Sequence, residues 1–262
     1  MTKTKFNEME KETLFIAFST QKGGVGKTAF TVLMSSYLHY LKGLEIAVVD
    51  CDYPQHSIFE MRQRDMEQVM KDDFYKQMAY EQFTTLKRKA YPVEKSHPDK
   101  AISLAEELID QALKKPDIIF FDLPGTLNSK GVIKTLSAMD YIFSPVSADR
   151  VVLESTLKFA SMLNENLISV GKGNIKGLHL IWNMVDGREK NELYEVYESV
   201  ISELGLNILK TFVTDSKRFR RELTTGHKPV FRSTLFPIHK SLLNGSNIDV
   251  LAEEILQTVK LL

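Results

Sequence analysis

Two lysines and a threonine stand among closely spaced glycines near the start of the chain, in the string Gln21-Lys22-Gly23-Gly24-Val25-Gly26-Lys27-Thr28-Ala29. Glycine lets the backbone turn tightly and come close to a ligand, and successive N–H groups in such a turn point at an anion. The Lys27 ammonium would neutralise β- and γ-phosphate oxygens, and the Thr28 hydroxyl would ligate Mg²⁺. Farther along, Asp50 and Asp52 follow one apolar run and Asp122 ends another. A carboxylate at Asp122 would bond a water of the magnesium and the Thr28 hydroxyl, the Walker B arrangement. Asp50 and Asp52 would orient a water or hold Mg²⁺ through waters.

These side chains need a scaffold that brings strand ends together, and the hydrophobic pattern supplies one. The glycine string lies between a β-prone run at 13–19 and apolar residues at helical spacing over 27–41. Strand, glycine loop and helix in that order are the context a phosphate-binding loop requires. Further strands are expected at 45–50, 117–122, 140–146, 176–183 and 207–213; the run at 45–50 is apolar almost throughout, as in a parallel strand covered on both faces. Helices are expected at 100–115, 131–139, 149–167, 189–204 and 248–262, and 57–90 is polar, Met-rich and helix-prone. Its methionines read as flexible packing. Residues 91–99, with Pro92 and Pro98, read as a loop. The alternation predicts an α/β fold: a mostly parallel central sheet with helices on both faces, as in P-loop NTPases. Residues 1–12 read as a short arm and 13–262 as one ATPase domain.

Composition narrows the class. At 262 residues, 43% hydrophobic and 26% charged, the chain reads as an ordinary globular protein. Its formal net charge is zero, so an anionic partner must be met by a local patch. The single cysteine, Cys51, excludes a disulfide framework or a cysteine metal cluster within one chain and fits a cytoplasmic location. The polar start is neither a signal peptide nor a membrane span, and no later run holds ~18 unbroken apolar residues.

Two patterns compete for the glycine string. Gly24, Gly26 and Ala29 also fit G-x-G-x-x-A, with Asp50 placed for a ribose contact, which would make a dinucleotide site. That pattern does not ask for Lys22, Lys27 or Thr28, and it leaves Asp122 without a role. The common P-loop pattern wants glycine where Gln21 stands. The second lysine, Lys22, followed by Gly23 and Gly24, instead resembles the deviant Walker A motif of the ParA/MinD family of dimeric ATPases. Three more segments resemble that family in the same order. Asp50-Cys51-Asp52-Tyr53-Pro54-Gln55 is similar to its switch I, with Tyr53 inserted and His56 where glycine is usual. Asp122-Leu123-Pro124-Gly125 is similar to switch II, with Gly125 in place of a second proline. Ser216-Lys217-Arg218-Phe219 and Gly226-His227-Lys228-Pro229-Val230 resemble its late Ser-x-Arg-Phe and Gly-x-Pro-Val segment.

The resemblance implies roles. Gly23, Gly24, Val25, Gly26, Lys27, Thr28 and Ala29 would hold ATP, with Thr28 and Asp122 on Mg²⁺. Lys22 would reach across a homodimer formed in the ATP state to the partner's nucleotide. Asp52 would position the attacking water with Asp50 nearby, and the Gly125 N–H would sense the γ-phosphate. Asn183 would pair with adenine. Basic residues late in the chain bind DNA nonspecifically in partitioning members; here these are Lys217, Arg218, Arg220, Arg221, Lys228 and Arg232. With no room for a DNA-reading domain before residue 13, the chain looks like the short form of ParA. That form is a cytoplasmic, nucleoid-associated ATPase with slow hydrolysis, stimulated by a ParB-like or conjugation-machinery partner. The closing helix holds Glu253 and Glu254 and one lysine, unlike the basic tail that takes MinD-type relatives to membranes. The lone cysteine speaks against the iron–sulfur branch. The other class on the same fold, an ATP-dependent metabolic ligase or reductase, needs a substrate pocket or cysteine ligands that the sequence does not display.

Overall fold

The structure is a computed structural model, and it describes residues 12–127, 129–186 and 191–262. The expected N-terminal arm lies outside the described residues, apart from Glu12. Seven strands form one sheet: β1 Leu14–Phe18, β2 Ile46–Asp50, β3 Val93–Lys95, β4 Ile118–Asp122, β5 Tyr141–Val146, β6 Gly177–Trp182 and β7 Asn207–Ile208. Their order across the sheet is β3-β2-β4-β1-β5-β6-β7, and every pairing is parallel. Nine α-helices connect or cover them among the described residues: α1 Lys27–Tyr40, α2 Ser57–Lys71, α3 Asp73–Leu86, α4 Ala101–Gln111, α5 Val132–Ser137, α6 Arg150–Leu163, α7 Asn191–Glu203, α8 Lys240–Leu243 and α9 Ile248–Thr258.

Successive strand residues point to opposite faces, and here both faces are dry. Ile16, Phe18, Val48 and Phe120 join one core with α1 and α9, while Ala17, Val49 and Phe121 join another with α4, α5 and α6. This is why the strands read as unbroken apolar runs. From Phe30 to Tyr40 every residue of α1 is buried, so the helix that leaves the glycine loop is held along most of its length. Among the described residues no helix is long and apolar enough to cross a membrane.

Three expectations need correction. The presumed loop at 91–99 contains β3, a three-residue edge strand paired with β2. Only Val93 of it is buried, so it lacks the apolar run that marks an inner strand. The helix-prone stretch 57–90 is broken at Asp72, which takes an extended conformation and accepts a bond from the Phe74 N–H to start α3. The last strand is shorter than 207–213. After Ile208 the Lys210 and Thr211 amides turn to the Glu254 carboxylate on α9 instead of the ladder.

Candidate functional site

The register of the sheet assembles the site. Phe18, the last residue of β1, lies opposite Asp122 on β4, and Asp122 lies opposite Asp50 on β2. The glycine loop, Asp50 and Asp122 therefore meet at the carboxyl edge of three adjacent inner strands, β2, β4 and β1, where open α/β sheets bind ligands. The loop leaves β1 well anchored. Ser19 N–H donates to Phe143 O, Ser144 Oγ donates to Ser19 O, and the Thr20 and Thr156 hydroxyls share a bond at 3.1 Å.

Gly24 and Gly26 both take positive φ, +80° and +98°. At Gly26 a Cβ would also lie 2.8 Å from Asn183 Nδ2, so a side chain is excluded by space as well as by backbone conformation. No side chain caps the α1 N-terminus and its first turn holds no acid, so its amide groups stay available to an anion. Lys27 curls back to donate to the Lys22 carbonyl at 3.1 Å. Burial lowers its pKa, opposed by Asp122 and then Asp52. Gly125, after β4, comes so close that a Cβ there would stand 3.2 Å from Lys27 Nζ.

The three carboxylates do different work. Thr28 Oγ1 donates to Asp122 Oδ2 at 2.8 Å, while Asp122 Oδ1 is buried without a partner. Burial, with the neighbouring Asp50 charge, pushes Asp122 up to about 8. A cation with its water shell would satisfy both the orphaned oxygen and the raised proton affinity, so these residues fit Mg²⁺. No group of three or more His, Cys, Asp or Glu is placed to cage a metal among the described residues. That suits an ion held by one or two protein oxygens and phosphates.

Asp50 is fully buried, and its Oδ2 accepts from the Ile58 and Phe59 amides at 2.9 and 3.0 Å. It thereby caps α2. Asp52 stays half-buried beside Lys27, its pKa raised by burial and by Asp50 and restrained by Lys27. The inserted Tyr53 is 56% exposed and packs on the His97 ring, 4.4 Å between centroids. Lys22 is half-buried, and Ala29 opens onto the cleft described next.

On the other side of the loop a cleft of about 180 Å³ runs from Gly24 and Ala29 to Asn183, Met184, Asp215 and Arg220. Asn183 directly follows β6, and its Nδ2 donates to the Val25 carbonyl at 2.9 Å, tying this cleft to the glycine loop. Nothing in the sequence marked Met184 or Asp215; they reach the cleft because irregular chain follows β6 and β7.

The basic cluster is divided rather than presented as one patch. Arg218 donates to Leu242 O, Asn244 O and Ser216 Oγ. Arg232 pairs with Glu222 and lines the cleft with Arg220. Lys228 borders a separate groove against α3. Lys217 and Arg221 face solvent outside both, with no ion pair among the described residues.

Residues 16–230 match the family model described as the CobQ/CobB/MinD/ParA nucleotide binding domain. No curated protein matches the chain in sequence. Among solved structures it is similar to the cell division ATPase MinD of Pyrococcus furiosus, with TM-score 0.61 and 18% identity over 94% of this chain and 100% of that one. The septum site-determining protein MinD of Pyrococcus horikoshii OT3, complexed with Mg-ADP, gives 0.58 and 17% over 95% and 97%. A plasmid partition protein from Borrelia burgdorferi gives 0.56 and 15% over 95% and 100%. At these identities the likeness is one of fold.

Proposed function

The chain belongs to the CobQ/CobB/MinD/ParA nucleotide-binding family, and from that premise we propose that it is an ATP-hydrolysing switch of the ParA/MinD type. The observation that carries this reading is the Thr28–Asp122 bond with the second Asp122 oxygen buried and unpartnered beside Lys27. Thr28 and Asp122 would hold Mg²⁺, which would draw charge from the phosphates. Gly23 to Ala29 would cradle the triphosphate, with Lys27 released from the Lys22 carbonyl to meet it. Asp52 would orient the attacking water, Asp50 would hold switch I by capping α2, and the Gly125 N–H would report the γ-phosphate. Asn183 would fix the base, with Arg220 and Arg232 beside it.

Lys22 is what favours a switch over a metabolic enzyme. Lys22 is half-buried in the loop, and in the ATP-bound homodimer it would reach a twin molecule's nucleotide. Lys22→Ala should then bind ATP nearly as the parent does but neither dimerise nor turn over. Light scattering with ATP and Mg²⁺ checks this, and normal ATP-dependent dimerisation in the variant removes the cross-subunit role.

DNA is the proposed cargo surface, contacted by Lys217 and Arg221, in partitioning or conjugative-element maintenance with a ParB-like or conjugation-machinery partner. Binding should weaken with salt at a log–log slope of ~0.9 per phosphate contacted. A flat salt response refutes nonspecific DNA binding.

A further inference from the structure

Away from the nucleotide site, a groove of about 590 Å³ lies between α3 and residues 227–240. Its floor is apolar: Tyr75, Val230 and Phe236 form a small buried cluster of their own. Its walls are pinned, because Tyr75 OH donates to Thr224 O and Gln82 Nε2 donates to Leu235 O. At one end the His227 ring stacks on Phe74, 4.4 Å between centroids, and bonds Asp72 at 2.8 Å. Large apolar side chains nevertheless stay in water along it: Phe74 is 47% exposed, Leu41 42% and Leu86 36%. A preformed apolar trough with exposed anchors marks a binding surface.

Its shape and charge say what fits. On α3 the lining residues Phe74, Met78, Gln82 and Leu86 recur every fourth position, one stripe along the whole 14-residue helix. At ~1.5 Å per residue that stripe is about 20 Å long, the length of another helix of four turns. The rim is basic. Lys228 and Lys240 line it exposed and without an ion pair among the described residues, and Glu81 is the one acid in the lining.

We propose that this groove docks an amphipathic helix of a partner protein, with its apolar stripe on α3 and acidic residues against Lys228 and Lys240. The occupant would press on chain that reaches the nucleotide cleft. Arg232 lines that cleft, and the next residues, Ser233 and Thr234, are bolted to α2 by Asp65 and Arg62. The docking itself does not depend on the ATP-switch reading and is measured without nucleotide.

The test uses the full chain and two labelled synthetic helices of 14 residues, both with leucines at i, i+3, i+4 and i+7 spacing. One carries glutamates on its flanks and the other lysines. Fluorescence anisotropy should show saturable binding of the glutamate helix and at least about tenfold weaker binding of the lysine helix, the size of a charge-assisted contact or two. Lys228→Glu with Lys240→Glu changes only exposed side chains and should reverse that order, while Phe74→Asp should abolish binding of both. Equal binding of the two helices, no binding of either, or binding unmoved by the lysine changes overturns the proposal. So does a nucleotide-free dimer dispersed by Phe74→Asp, which makes a second copy the occupant. Capture of anionic lipid vesicles that displaces the glutamate helix likewise overturns it in favour of a membrane.

Discussion

The proposed phosphate end and the proposed base end of the site are built differently. At the phosphate end, Asp50 and Asp122 are the last residues of buried inner strands and Lys27 and Thr28 stand in the first turn of a buried helix, and the β1–β4–β2 register fixes their spacing. At the base end, Asn183 alone adjoins a strand end; Met184, Asp215 and Arg232 come from irregular chain, and Arg220 closes the short 3₁₀ helix Lys217–Arg220. Chemistry that tolerates little displacement is placed on the rigid half, and recognition is left to loops.

If that contrast is right, substitutions at the phosphate end should dominate. Lys27→Ala should weaken ATP binding by roughly 10- to 100-fold, the worth of a hydrogen bond to a charged group, measured by calorimetry. Asp122→Asn should keep the Thr28 bond yet lower the gain that Mg²⁺ gives to nucleotide affinity by roughly tenfold, seen by titrating with and without the metal.

The same carboxylate gives a pH signature. Because Asp122 rises from 3.8 to about 8 on folding, the nucleotide-free folded chain binds more protons than the unfolded one in that window. Stability conferred by this group should therefore fall as pH rises through the window, and Asp122→Asn should flatten the fall in thermal melts. A variant that melts with the parent's pH slope refutes the assignment.

Smaller effects sharpen the contrast. Asp50→Ala removes the acceptor of two α2 amides and should cost about 1–2 kcal/mol in urea unfolding, as lost helix caps do. Asn183→Ala should cost about 1 kcal/mol of nucleotide affinity and narrow the preference for ATP over GTP, read in a competition assay. An Asn183 variant that outdoes Lys27→Ala would invert the comparison.

The same division explains what the sequence revealed. Lys27, Thr28 and Asp122 were legible because each follows or ends an apolar run whose strand identity is local, and a parallel sheet aligns such ends. The Asp50–α2 cap was not, because which of two acids two residues apart turns inward depends on how the chain folds back after His56. β3 was hidden because an edge strand needs only one buried residue. The basic cluster does not stay one unit: Arg218 and Arg232 lie within 15 residues of each other, but the carbonyls of Leu242 and Asn244 hold the first and Glu222 the second. Charge density along the chain does not say which charges are already answered.

The most direct measurement is a calorimetric titration of ATP into the full chain, with Mg²⁺ and then without it. The account predicts saturable uptake with one nucleotide per chain, tighter with the metal and weakened by roughly 10- to 100-fold in Lys27→Ala. Uptake that is absent, or that survives Lys27→Ala unchanged, would contradict it.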